Sequence, residues 1–392
     1  MSKISIRDLD LNGKRVFIRV DFNVPLAPGG QTVSSDKRIR ASLPTIRYAL
    51  DHGAAVILAS HLGRPKGKPN PEMSLKPVAK RLEELLGKPV AMAPDCVGPQ
   101  VQAMLPPPGG VLLLENLRFH SEEEKNDPEF SRQLAALCDV YVNDAFGSAH
   151  RAHASTVGMV AYVSKAAAGL LMEQELKYLT MVTRNPERPC IAILGGAKVS
   201  DKIEVIKNLM KIVDKLLVGG AMAYTFFKAQ ARPVGKSLVE EDKVNLAKSL
   251  LASAGDKLLL PLDNVVAAEL KEGAASQVVH DIPDGMMGLD IGPQTVDAFV
   301  AEIARAKTVI WNGPLGFFEI PAFSAGTMRV GEALANQDGV VSIIGGGDTA
   351  AAVAHAPWAK KFTHISTGGG ASLEFLEGRE LPGVKALEAS GK

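Results

Sequence analysis

The sequence predicts an α/β protein of two domains, each organised around a mainly parallel sheet. Three observations predict it. Short apolar runs recur along the chain, and most end in a polar or glycine-rich cluster ahead of a helical segment, the grammar of a sheet with helical crossovers. At 392 residues the chain exceeds one ordinary core and suits two domains of roughly 150–200 residues. The clusters also change character along the chain: 11 of the 17 arginines precede residue 170, and glycine dominates thereafter.

In the first half, a strand over 16–20 ends in Asp21, Phe22, Asn23 and Val24, with Arg19 inside it. Residues 36–40 lead into a helix over 41–52. A second strand, 54–59, runs into Ser60, His61, Leu62, Gly63 and Arg64. The helix over 76–86 carries Val78, Leu82, Leu85 and Leu86 at helical spacing and serves packing. Residues 106–110 (PPPGG) form a rigid surface turn. A third strand, 111–114, ends in Glu115, Asn116, Leu117 and Arg118, and 122–127 reads as a charged, solvated loop. A fourth, 140–142, ends in a stretch reaching His150 and Arg151. Ligands of open α/β sheets bind at the carboxyl ends of strands. Guanidiniums gathered there suit a small, multiply charged molecule bearing phosphate or carboxylate. His61, His150 and His153, beside those arginines, read as hydrogen-bonding or neutral packing groups.

Residues 161–179 read as one long helix with Gly169 near its middle, closed by turn residues over 185–189. The helix falls where the arginine-rich half stops, so it is the natural connector between domains. Beyond it, 191–194 ends in Gly195, Gly196, Ala197 and Lys198, and 216–218 ends in Gly219, Gly220 and Ala221. The run 258–261 precedes Asp263, and 308–311 ends in Asn312, Gly313 and Pro314. The run 340–344 ends in Gly345, Gly346, Gly347, Asp348 and Thr349, and 362–366 ends in Thr367, Gly368, Gly369 and Gly370. Such glycines let a large anion approach bare N–H groups, and a helix start adds positive partial charge. Asp348 offers the carboxylate that a magnesium ion on a nucleotide needs. Lys198 and Lys202, four apart, are expected to share a helix face and touch successive phosphates. This half reads as a nucleotide-binding, doubly wound sheet.

Several classes are disfavoured. The chain has neither G-x-x-x-x-G-K-[ST] nor a post-strand G-x-G-x-x-G with its acidic partner, which argues against a Walker-type NTPase and a dehydrogenase. It shows no His/Cys metal spacing and no nucleophile-elbow serine. A net charge of +1 argues against nucleic-acid binding. Nothing approaches 18 uninterrupted apolar residues and the start, MSKISIRDLD, has no apolar h-region, so no membrane segment and a cytoplasmic location are expected. Cys96, Cys138 and Cys190 lack paired spacing and read as buried reduced thiols. With no acid–base dyad in view, a carboxylate acceptor, already ionised at neutral pH, would leave catalysis to positioning and charge neutralisation.

Ten motifs, in order along nearly the whole chain, resemble the phosphoglycerate kinase family. They are RVDFNVPL at 19–26, DKRIRASLPTI at 36–46, SHLGRPKG at 60–67, LENLRF at 114–119 and DAFGSAHRAHAST at 144–156. In the second half they are LGGAKVSDK at 194–202, MGLDIGP at 287–293, WNGPLGFFE at 311–319, GGGDT at 345–349 and STGGGAS at 366–372. The resemblance implies two Rossmann-like three-layer αβα domains joined by a hinge helix, with a cleft between them. Residues 1–170 with a returning tail, 380–392, would bind phosphoglycerate, and 171–379 the nucleotide. It implies a glycolytic reaction: reversible in-line transfer of phosphate, on domain closure, between ATP and the carboxylate of 3-phosphoglycerate, giving ADP and 1,3-bisphosphoglycerate. Magnesium would travel on the nucleotide, and the protein would be a monomer.

Carried over by position, the resemblance assigns Asp21, Phe22, Asn23, Arg38, His61, Leu62, Gly63, Arg64, Arg118 and Arg151 to the phosphoglycerate. Arg38 also matches the arginine that closes on the reacting carboxylate, and Lys198, Gly369 and Gly370 match groups around the transferring phosphoryl. Lys202 and Thr349 match phosphate contacts, Glu319 the ribose-binding glutamate and Asp348 the metal ligand. Gly196, Ala197, Gly219, Gly220, Gly288, Leu289, Asn312, Pro314, Gly346 and Gly347 fall around the nucleotide. Ala221 departs from the family by replacing a third glycine near the adenine. A catalytically silent nucleotide-binding protein on the same fold is the alternative, and the presence of Arg38, Lys198 and Asp348 counts against it.

Overall fold

The computed structural model describes residues 4–389. The chain forms two compact units: one runs up to Lys177 and resumes at Glu380, and the other spans Tyr178–Arg379. Residues 390–392 of the expected tail lie outside the described residues.

The first unit is built on six strands, β1 (Arg15–Arg19), β2 (Ala55–Ala59), β3 (Ala91–Met92), β4 (Val111–Leu113), β5 (Val140–Asn143) and β6 (Ala166–Ala168). Their order is β3-β4-β2-β1-β5-β6, and every pairing is parallel. Helices cover both faces, so β1 and β2 are buried almost throughout instead of alternating. Val16, Ile18, Val56 and Leu58 pack with Ile39 and Ile46 of helix Lys37–Asp51 and with Val78 and Leu82 of helix Lys76–Leu86. The order of strands reverses between β1 and β5, which makes the carboxyl ends of those two strands the natural crevice.

Two expectations are corrected here. Helix Lys37–Asp51 starts four residues before 41, because Ile39 faces the core and Asp36 pairs with Arg40 one turn on, at 3.0 Å. Arg38 therefore sits in a first helical turn. Residues 161–179 are not one helix: Ala166–Ala168 pairs with β5, and the helix is Leu170–Arg184. Three alanines favour a helix in isolation, yet a buried strand slot beside Tyr141, Val142 and Asn143 overrides that preference.

The second unit carries β7 (Cys190–Leu194), β8 (Lys215–Val218), β9 (Leu258–Leu259), β10 (Asn264–Ala267), β11 (Ser276–Val279), β12 (Met287–Ile291), β13 (Thr308–Asn312), β14 (Val341–Gly345) and β15 (His364–Ile365). Six of them form a parallel sheet in the order β15-β14-β13-β7-β8-β9. Trp311, Val309 and Ile193 lie in its core with Phe299, Leu334 and Val353. The order reverses between β7 and β13. A separate antiparallel sheet, β11-β10-β12, closes over Tyr224, Phe227, Val266 and Ile282. It escapes the sequence pattern because Gln277 and Val278 are exposed and the register shifts between Val265 and Val266. Both main sheets are parallel with flanking helices, the α/β class expected. All three cysteines are free and buried, and no helix among the described residues is long and apolar enough to cross a membrane.

Candidate functional site

In the first unit, the loops after β1, β2, β4 and β5 hold one another in place. Asn23 Oδ1 accepts from Gly63 N at 2.9 Å, and Ser60 Oγ accepts from Phe22 N at 2.8 Å. Asn116, fully buried, accepts from Leu62 N and Arg118 N and donates to Leu62 O at 2.7 Å. Arg118 Nη1 donates to Gly63 O at 2.8 Å, and its Nε lies 3.2 Å from Glu124. Arg38 donates to Asp21 Oδ1 at 2.9 Å from the first turn of its helix. Arg151 donates to His150 Nε2 at 3.2 Å.

His61 sits at the centre. Burial, and then the positive charges of Arg19, Arg118, Arg151 and Arg38, push its pKa well below the usual imidazole value. His153 is pushed down to about 3, by burial first and then by Arg19, Arg118, Arg151 and His150. Both rings are neutral at pH 7, as the sequence suggested. The structure thus brings Arg38, Arg118 and Arg151 together around His61, at the crevice of the sheet. Arg64 stands exposed on the loop after β2. Two buried members of this cluster carried no assigned role from sequence, Asn116 and Arg19. Asn116 looked like ordinary loop polarity, whereas an arginine inside an apolar strand was the available signal for Arg19.

In the second unit, the loops after β7 and β13 meet backbone to backbone. Gly196 N donates to Pro314 O at 3.0 Å, and a Cβ on Gly195 would lie 2.0 Å from that oxygen, so only glycine fits there. The loops line a cavity of about 210 Å³. Gly196, Ala197, Gly220, Gly288, Leu289, Pro314, Glu319 and Asp348 all face it, together with Ala221. Gly316, Phe317 and Phe318 also line it, a flat apolar contribution that sequence reasoning missed although Gly-Phe-Phe was visible.

Lys202 Nζ donates to Asn312 Oδ1, across the point where the strand order reverses. Burial lowers its pKa to about 8, against the pull of Asp201 and Asp348. Lys198 and Lys202 do not share a helix face: Ser200–Lys202 is a 3-10 turn, helix Ile203–Ile212 begins after it, and Lys198 is exposed in the preceding loop. Thr349 is buried and accepts from Gly313 N at 2.6 Å, while Gly219 is buried against Leu315. Gly346 and Gly369 precede the helices Gly347–Val353 and Gly370–Leu376 with positive φ of 85° and 50°.

Asp348 lies in the first turn of Gly347–Val353, facing the cavity, with no ion pair recorded for it among the described residues. One carboxylate beside a glycine-lined cavity fits magnesium, which takes one or two carboxylates and draws its other ligands from phosphates and water. A second grouping, Asp95, Cys96 and His120 in the first unit, has its ligand atoms within 4.8 Å of one another. There the Cys96 thiol is fully buried and donates to Glu115 O at 3.0 Å, and His120 Nε2 already meets Asp95 at 2.6 Å.

The sequence model of the family described as phosphoglycerate kinase matches residues 6–379. A phosphoglycerate kinase of Solibacter usitatus is 70% identical over 391 residues, covering 99% of this chain and all of its own. One from Koribacter versatilis is 59% identical, over 99% of each chain. Among solved structures, phosphoglycerate kinase from Coxiella burnetii superposes with a TM-score of 0.91 at 41% identity over 100% of both chains. The Pyrococcus horikoshii enzyme of that name gives 0.87 at 32% identity over 99% of both.

Proposed function

The chain belongs to the phosphoglycerate kinase family, and on that premise we propose how its two units share the work. The activity is that of a phosphotransferase with a carboxyl acceptor, moving phosphate reversibly between ATP and 3-phosphoglycerate in glycolysis. In our reading the first unit binds phosphoglycerate and the second the nucleotide. One observation carries this division: guanidiniums converge on the neutral His61 in the first unit, whereas a glycine-lined cavity with two carboxylates, Glu319 and Asp348, lies in the second.

The acceptor carboxylate is ionised at neutral pH, so the transfer needs no general base, and His61 and His153, their pKa values pushed down by burial and the surrounding arginines, are weak bases. Arg118, Arg151 and Arg64 anchor the substrate's phosphate, with Asp21, Asn23 and the backbone of Phe22, Leu62 and Gly63 shaping its bed. Arg38 neutralises the attacking carboxylate. Lys202 and Thr349 act on the nucleotide phosphates and Glu319 on the ribose. Lys198, Gly369 and Gly370 receive charge on the transferring group, the electrostatic work that dominates phosphoryl transfer. Asp348 would hold magnesium carried by the nucleotide, which would supply charge neutralisation at the phosphates. Direct transfer requires both substrates to meet within one turnover, and we assign that meeting to movement of the two units. The near-neutral charge and three buried free thiols support a cytoplasmic protein without nucleic-acid partners, and a single chain with both sites supports a monomer. In a coupled assay with ATP, magnesium and 3-phosphoglycerate, folded protein should turn over. Nucleotide binding without turnover would leave the catalytically silent alternative standing.

A further inference from the structure

Glu123 lies in a stretch whose sequence, EEEKND over 122–127, reads as solvated surface, yet it is fully buried. A buried carboxylate persists only with charged or hydrogen-bonding partners. Ser155 supplies two: its N–H donates to Oε2 at 2.9 Å and its hydroxyl to Oε1 at 2.6 Å. Burial raises the Glu123 pKa, while the charge of Arg19, the bonds from Ser155 and the charge of Arg118 oppose that rise.

The hydroxyl of Ser155 has one proton, spent on Glu123, so it is an acceptor toward Arg19, whose Nε donates to it at 2.9 Å. Arg19 is only 1% exposed at the end of β1. Its Nη1 donates to Val20 O, and its Nη2 lies 3.2 Å from His61 Nδ1. A guanidinium has donors only, so Nδ1 must accept, and the proton of the neutral ring belongs on Nε2. Tyr141 fixes the far side by donating to Ser155 O at 2.8 Å. Arg19 is the source at both ends: it donates to His61 on one side and to the Ser155 hydroxyl on the other, which in turn donates to Glu123.

We propose that Glu123 and Ser155 are positioning residues for phosphoglycerate, acting through Arg19 to hold His61 as a neutral ring with its proton on Nε2. His61 then offers the acidic substrate an N–H donor in one tautomer. Glu123 sets the orientation of the buried guanidinium without touching substrate. This rests on the proposed reading of the arginine cluster as the phosphoglycerate site.

The test has two arms. Imidazole 15N NMR of the unaltered protein should show His61 with a protonated Nε2 and a bare Nδ1 across pH 6–8. A proton on Nδ1, or on both nitrogens, overturns the proposal whatever the variants do. Glu123→Gln should raise KM for 3-phosphoglycerate about tenfold, the loss of roughly one charge-assisted hydrogen bond, leave KM for ATP unchanged and mix the His61 tautomers. Unchanged phosphoglycerate KM and tautomer in folded Glu123→Gln overturn the proposal. Where that variant fails to fold, Ser155→Ala takes its place with the same readouts. Arg151→Ala separates the two readings. If it leaves phosphoglycerate KM untouched, the site reading fails; if it raises KM while Glu123→Gln does not, the relay alone fails.

Discussion

Arg38 holds Asp21 at 2.9 Å with about a third of its side chain exposed, so it is anchored at one nitrogen while the rest of its fork stays available. Arg38→Ala should lower kcat by about 10²-fold in the coupled assay, as removal of one charge-stabilising donor does. Unchanged turnover would refute its role at the transition state. Lys202 makes a pH-dependent prediction. Its pKa in the folded protein falls to about 8 through burial, so the free enzyme loses this positive charge as pH rises through that value. The kcat/KM for ATP should therefore decline above about pH 8, and Lys202→Ala should lack that limb. At this scale the sequence disclosed which residues carry charge. It did not disclose which charges are buried: Glu123 reads as surface, and Lys198 and Lys202 read as equals although only Lys202 is drawn inward.

Helix Leu170–Arg184 is capped from a distance. Asp144, at the end of β5, accepts from Leu171 N at 2.9 Å and Met172 N at 3.2 Å. It is fully buried, and burial raises its pKa from 3.8 to about 7 despite these bonds and one from Thr45. Between pH 4 and 7 the folded state thus holds a proton that the unfolded chain has lost. Stability from this group is present at the acid end and is lost as pH rises through about 7, by at most about 1.4 kcal/mol per pH unit. In denaturant titrations, Asp144→Asn should gain on the parent protein as pH rises across that window. A constant difference would show that Asp144 does not titrate there. The element itself was half legible. Its apolar periodicity over the later residues marks a helix, but Ala166–Ala168 carries no local signal distinguishing strand from helix.

For the whole molecule, the residues proposed for phosphoglycerate all belong to the unit that runs up to Lys177 and resumes at Glu380, and those proposed for the nucleotide all belong to Tyr178–Arg379. If movement of the units brings the substrates together, solution scattering should give a smaller radius of gyration with both substrates bound than with neither. Superimposable curves would remove that part of the proposal. The arginine-to-glycine change along the chain is the sequence counterpart of that proposed separation, because anion recognition by side chains and by bare backbone needs different residue types.

By itself the sequence determined the α/β class, most of the strands, and the family through its ten motifs. These are local properties: apolar runs, turn glycines and the residues at strand ends are legible without knowing what lies opposite them. Only the tertiary structure decided that Ala166–Ala168 is a strand, that β10, β11 and β12 form an antiparallel sheet, and that Phe317 and Phe318 line the cavity. It also decided that Glu123, 104 positions beyond Arg19, reaches it through the single hydroxyl of Ser155. Burial and hydrogen-bond direction depend on partners distant in sequence, and a protonation state is set by the field of all of them together.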